Sequence, residues 1–374
     1  MMGSVRQWRL RVGVTGAFLL ATGWLHAQDK TSGPWVMQSS GTTASLRGIH
    51  AVGAGVAWAS GTNGTVLRTE DGGYMWQTCA MPPGAEKLDF RGIWAWDEKT
   101  AIVMSSGPAD LSRLYKTTDG CSHWTLLYTN PDKDGFWDAI QYSDRKNGFL
   151  LGDPVNGRFV LIRTEDGGAT WKPIESTDLG TGTEKLGAFA ASNSAMALNG
   201  PVLGPVWAPW FGTSGPAGPR IYRSGLDCTM GMAHDDIEGC LRRWDFQRGK
   251  APMAGESASS GVFSLALRDG EHGVAVGGDY SKPGVAFGTA AWTADGGGQW
   301  TAAERPPHGY RSAVAWDGGS KAWIAVGTNG SDVSYDDGKT WSLIDDGNWN
   351  ALSLPWVVGP EGRIAKRGEL PARK

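Results

Sequence analysis

One eight-residue word recurs five times along the chain: TEDGGYMW at 69–76, TTDGCSHW at 117–124, TEDGGATW at 164–171, TADGGGQW at 293–300 and SYDDGKTW at 334–341. The shared pattern is Ser or Thr, any residue, Asp, any, Gly, any, any, Trp. Only Cys121 departs from it, standing where the other copies have glycine. A degenerate sixth copy, IYRSGLDC, keeps Ser224 and Asp227, and Trp244 supplies its aromatic residue after a cysteine-bounded insertion. Self-similarity of this kind commits a chain to an array of equivalent supersecondary units.

Adjacent acids beside a glycine invite a catalytic or calcium-binding reading, and repetition argues instead for structure. A short Asp accepts hydrogen bonds from N–H groups of its own turn, glycine supplies a backbone conformation other residues avoid, and tryptophan packs between units. A calcium loop needs acids at alternating positions and a distal bidentate glutamate, which none of the five copies has. Asp71, Asp119, Asp166, Asp295 and Asp336 are therefore expected to brace turns, with Glu165 solvated.

A second series tests the count independently. LRGIHAV at 46, FRGIWAW at 90, FWDAIQY at 136, LGAFAAS at 186, VFSLALR at 262, YRSAVAW at 310 and NWNALSL at 348 are seven β-rich runs, one per unit. A second strand ending in glycine follows (VAWASGTNG, IAVGTNG, WVVGPEG), then a third (TVLRT, FVLIRT, RIAKR) that leads into the acidic turn. The tryptophans from Trp35 to Trp341 space these units at roughly 40 to 50 residues plus insertions, the length of a four-stranded propeller blade. With the strands lettered A to D, the last unit lacks D and the chain begins with an orphan D, PWVMQSS at 34–40. Joining the two ends closes a ring and removes its open edge. The expectation is an all-β, seven-bladed propeller of antiparallel four-stranded blades over residues 28–374, with 34–40 beside 362–367. Its 56 glycines, 19 prolines and 20 tryptophans suit a turn-rich β protein.

Residues 1–27 read as a secretory signal peptide, with Arg6, Arg9 and Arg11 ahead of an apolar stretch ending in Ala27. An uncleaved anchor is the alternative, although the stretch is short for a span. The mature protein is then periplasmic or secreted, where disulfides persist. Closing the short loop Cys228–Cys240 leaves Cys79 with Cys121 by elimination. The thiol spacing fits no zinc site, none of the mature histidines has metal or triad spacing, and no cofactor is expected. A net charge of −3 gives no reason to expect nucleic acid.

The acidic-turn words, the LRGI and FRGI words and SSGVFSLAL…GVAVGGDYSKP resemble propellers with Asp-box (bacterial neuraminidase) repeats, and more narrowly the photosystem II stability/assembly-factor-like propellers. The resemblance covers essentially the whole mature chain. It implies a non-catalytic scaffold with a charged face receiving a membrane-protein partner, a role open here to Arg47, Arg91 and Arg311. Asp boxes also occur in sialidases, so a glycoside hydrolase is the alternative.

In an antiparallel meander the A-strand starts and B-strand ends share one face of the ring, opposite the acidic turns. The A starts supply Arg47, Arg91, Asp138, Gly187, Ser264, Arg311 and Asn350, and the B ends add Asp153, Asp279 and Tyr280. Arginine forks match carboxylates and phosphates, so a protein partner, membrane-associated or not, or an acidic or carbohydrate ligand is expected on a monomeric ring. A sialidase would need three arginines, a tyrosine–glutamate pair and an acid/base aspartate; Tyr280 lies near Asp279, yet the expected Arg-Ile-Pro word is missing and no glutamate adjoins a candidate tyrosine. The stretch 199–219, rich in Pro and Gly, reads as an insertion whose Trp207, Trp210 and Phe211 either pack on a neighbouring blade or stack on a ligand.

Overall fold

Seven four-stranded antiparallel sheets form a β-propeller in the computed structural model, which describes residues 33–203, 206–226 and 244–373. The signal peptide and the Cys228–Cys240 pairing lie outside the described residues. Blade 7 is completed by the N-terminal strand: Trp35 to Gln38 pair with Arg367 to Ile364, so the expected closure is present. Backbone bonds then run around the inner ring from blade to blade, as in Leu46 N–H to Gly359 O (3.0 Å), Val262 N–H to Thr213 O (3.1 Å), Arg311 N–H to Gly277 O (2.9 Å) and Trp349 N–H to Gly327 O (3.0 Å).

The acidic turns hold by a repeated set of bonds. In blade 3 the Thr164 hydroxyl donates to Asp166 Oδ1 (2.8 Å) and accepts the Gly168 N–H (2.9 Å), while Asp166 Oδ1 also accepts the Thr170 N–H (2.9 Å). Bonds from the Thr170 side chain and backbone hold the Asp166 carboxyl down at about 2. Gly168 has φ +96°, and a Cβ there would meet Tyr142 Oη at 2.9 Å, which explains the glycine. Cys121 occupies the same place in blade 2 at φ +66°, and in exchange makes a disulfide to Cys79 of blade 1. Glu165 is half exposed and pairs with Arg163 at 3.0 Å.

The turn tryptophans pack between blades. Trp76 meets Trp356 of blade 7 edge-on at 6.2 Å, Trp124 meets Trp58 of blade 1 at 6.5 Å, and Trp244 meets Phe149 of blade 3 at 5.7 Å. Aromatic pairs of this geometry contribute about 0.5–1.5 kcal/mol beyond their burial.

Blade 4 corrects the sequence reading. Its A strand is Met196–Leu203, its B strand Val206–Gly212 and its C strand Arg220–Leu226, so the stretch 199–219 holds the end of A, all of B and the B–C turn and is not an insertion. Trp210 and Phe211 are buried in the core rather than presented to a ligand. The word LGAFAAS lies outside the sheet: Gly187 makes an isolated bridge to Ser214, and the ladder resumes where Gly212 N–H reaches Ala195 O (3.0 Å). The intervening residues 188–194 leave the blade and enter the middle of the ring.

Candidate functional site

The A strands share one local irregularity. In blades 1, 2, 3 and 5 the pairing of A with B skips a residue near its start, between Leu46 and Gly48, Phe90 and Gly92, Trp137 and Ala139, and Val262 and Ser264. A bulge re-aims the skipped side chain. Arg47, Arg91, Asp138 and Phe263 are those residues, and all four line one cavity of about 390 Å³. Asp153 is likewise skipped between Gly152 and Pro154 in the B strand of blade 3, and it lines the same cavity. Glycine follows each arginine because the next structure comes close: a Cβ on Gly48 would sit 2.8 Å from Arg91 O, and one on Gly92 would sit 3.0 Å from Asn193 Oδ1.

Of the sequence-expected residues, Arg47, Arg91, Asp138, Asp153, Tyr280 and Asn350 line this cavity. Asn350 also ties blade 7 to blade 1 through Nδ2 donating to Leu46 O at 2.8 Å. Three A-start assignments and one B-end assignment do not hold. Arg311 is fully buried inside blade 6, where its guanidinium pairs with the equally buried Asp332 and donates to Asn329 Oδ1 (2.7 Å). Tyr310 and Ser312 represent that blade instead. Ser264 lies one residue too deep, bonded to Ser194 and to the Val314 N–H, and Phe263 takes its place. Gly187 stays bridged to Ser214 at the edge of blade 4 and does not line the cavity. Asp279 is bound locally by the Ser281 N–H (2.9 Å) and hydroxyl (2.7 Å) and does not line the cavity.

The electrostatics are mixed rather than simply cationic. Arg91 Nε donates to Asp89 Oδ2 at 2.8 Å and its Nη1 reaches Ala190 O at 3.3 Å. Arg47 Nε is buried with no hydrogen-bond partner, and burial lowers the guanidinium, opposed by the Asp89 charge. Asp138 is 1% exposed with Oδ2 unpartnered; burial, then the neighbouring Asp153, push its carboxyl well above the usual range. Asp153 accepts the Ala188 N–H at 2.8 Å and is also raised by burial. Aromatic side chains complete the wall: Phe189 stacks on Phe263 at 3.5 Å between centroids, and Tyr310 meets Phe263 edge-on at 4.7 Å.

The displaced segment of blade 4 makes the cavity blind. Ala188 to Ala191 form part of its lining, and the next three residues bind the walls of the ring. Ser192 Oγ donates to Ser312 O (2.7 Å), Asn193 accepts the Ile140 N–H (2.8 Å) and donates to Ile93 O (3.2 Å), and Ser194 Oγ donates to Ser264 Oγ (2.8 Å). Ser192 to Ser194 also line a second cavity of about 480 Å³ at the opposite mouth. Among the described residues no Asp, Glu, Lys or Arg lines that one, and its His50 is pushed down to about 4 by burial.

Fold and site together define a seven-bladed propeller with a plugged channel and a charged, blind cavity on the face opposite the acidic turns. Among solved structures the chain is similar to one described as YCF48 bound to D1 peptide, at 15% identity and a TM-score of 0.57, covering 90% of this chain and 97% of that one. A structure of YCF48 from Cyanidioschyzon merolae also aligns, at 15% identity and a TM-score of 0.41, over 89% of this chain and 98% of that one. Likeness at this level is a likeness of fold. No family model and no curated protein matches the chain.

Proposed function

We propose that the protein is an exported, non-catalytic binding scaffold that takes an acidic group of a protein partner into the cavity beside Arg47 and Arg91. The observation that carries this reading is the pair of arginines delivered by the same bulge to one blind cavity. Arginine forks match a ligand carboxylate with charge-assisted, bidentate hydrogen bonds. The YCF48 structure described as holding D1 peptide supports the reading by showing a propeller of this fold with a peptide bound. Export rests on the arginine-led apolar N-terminus.

The test is calorimetric titration of the full chain with peptides ending in a free carboxylate or an amide. Arg47→Ala and Arg91→Ala are each expected to weaken carboxylate-peptide binding by about 10- to 100-fold, the loss of one charged hydrogen bond. Unchanged affinity in the double variant would sink the proposal. A pull-down from the native envelope with the same variant identifies the partner.

A glycoside hydrolase is the second reading, favoured by the two carboxyls Asp138 and Asp153 in one cavity. Both come from blade 3, however, so they form one wall rather than flanking a substrate. Among the described residues no glutamate lines the cavity, and Arg311 contributes no third arginine. Hydrolysis of a sialoside or plant polysaccharide, abolished by Asp153→Asn, would establish this reading over the first.

A further inference from the structure

Arginines alone do not account for the cavity. Asp138 and Asp153 stand on the blade 3 wall, one nearly fully buried with an unpartnered Oδ2, the other tied to the Ala188 N–H. Two carboxyls in a desolvated wall cost stability unless a cation or donors satisfy them. Neither makes a salt bridge within the chain among the described residues: Arg91 turns its Nε to Asp89 and keeps the outer guanidinium edge for a ligand. Burial raises both carboxyls, as expected where the compensating charge is to come from a ligand. A metal ion is a poor candidate, because no three His, Cys, Asp or Glu among the described residues cluster to hold one. Phe189, next in the chain to the Ala188 that donates to Asp153 and stacked on Phe263, supplies aromatic surface, the companion that organic cations favour.

We propose that the cavity recognises a dipole: a carboxylate on Arg47 and Arg91 and, beside it in the same ligand, the ammonium of a lysine side chain on Asp138 and Asp153. This deepens the acidic-ligand reading and rests on it. The partner segment therefore carries an acidic and a basic residue side by side. A volume of about 390 Å³ has room for two such side chains and lies at the lower end of the roughly 300–1,000 Å³ typical of ligand pockets. The carboxyls also give selectivity: a segment with two acids brings no cation to Asp138 and Asp153 and leaves them uncompensated.

The experiment titrates the full chain with four N-acetylated, C-amidated hexapeptides of Ser and Gly whose central pair is Lys-Glu, Gln-Glu, Lys-Gln or Gln-Gln. Lys-Glu is expected to bind at least about tenfold tighter than Gln-Glu, as befits one charged pair. Asp138→Asn and Asp153→Asn should each bring the ratio of Lys-Glu to Gln-Glu affinity down to about one, with circular dichroism showing that the variants are folded. Arg47→Ala should weaken both acid-bearing peptides. Equal affinity for Lys-Glu and Gln-Glu overturns the dipole and leaves the acidic-ligand reading standing. Lys-Gln binding as tightly as Lys-Glu overturns both as stated, and so does the absence of binding by all four.

Discussion

Replacing Arg311 separates a structural arginine from a binding one. Its guanidinium and the Asp332 carboxylate are both fully buried, with Nε donating to Oδ2 at 2.8 Å and two further bonds, to Tyr310 O and Asn329 Oδ1, each of 2.7 Å. Arg311→Ala leaves Asp332 charged and buried, a change that costs about 3–5 kcal/mol when one partner of a buried pair is removed. The low end applies, because His308 Nδ1 remains 2.7 Å from Asp332 Oδ1 and continues to satisfy it. At about 2.1 cal/mol/K per residue over roughly 340 residues, unfolding carries about 0.7 kcal/mol/K of entropy, so 3 kcal/mol lowers the melting temperature by about 4 °C. Differential scanning calorimetry measures the shift, and Arg311→Met with Asp332→Leu should recover most of it, since a buried pair exchanged for apolar residues is often neutral. Wild-type melting combined with lost carboxylate-peptide binding would refute the placement of Arg311 in the core and return it to the ligand face.

Three further outcomes are expected. Asn193→Ala leaves the buried Ile140 N–H without its acceptor and puts alanine at φ +65°, so it should cost about 2–4 kcal/mol in denaturant unfolding, with Asn193→Gly about 1 kcal/mol milder. Cys79→Ser with Cys121→Gly opens a bridge of sequence separation 42, for which chain entropy gives about 4 kcal/mol, offset by about 1 as glycine relaxes the φ +66° site; equal melting of oxidised and reduced wild type would contradict this. His50, at about 4 when folded against 6.5 when free, binds fewer protons than the unfolded chain between those values. Stability should therefore rise with pH from about 4 to 6.5, by up to about 3 kcal/mol. Protonation would also cost Nδ1 its bond from the Ala95 N–H, and His50→Gln should flatten the slope in urea titrations at stepped pH.

The ring was legible because its periodic words carry local physics. Thr164, Asp166 and Gly168 form a self-contained turn, so each copy reports a C–D junction wherever it occurs, and counting copies counts blades. Blade 4 was misread because LGAFAAS alternates like an A strand while the true A–B hairpin is rich in proline and glycine, residues that usually mark loops. Pro209 is accommodated opposite Leu198, a pairing that propensity does not anticipate. The site was partly legible for a similar reason. Arg47 and Arg91 are each followed by glycine, the residue that admits the neighbouring backbone, whereas Arg311 is followed by Ser312 and meets an aspartate that arrives from the C strand 21 residues on. That difference was visible in the words themselves. The shift from Ser264 to Phe263 comes from a bulge in the hairpin, where Phe263 holds the second position of VFSLALR as Arg47 does in LRGIHAV. The entry of residues 188–194 into the ring rests on bonds to other blades and leaves no local trace.

The closure of blade 7 makes the molecule a loop held shut at a single non-covalent seam. The strand pairing across it is four residues long on each side, Trp35–Gln38 against Ile364–Arg367. A chain cut between residues 38 and 46 and stripped of its first strand would present the Ile364–Arg367 edge, with its free N–H and C=O groups, to solvent. Another molecule can cap that edge by lending its own first strand, so this seam is where dimers by strand exchange, and longer open chains of the same kind, would arise at high concentration. Integrity of the first strand thus decides whether the ring is closed within one chain.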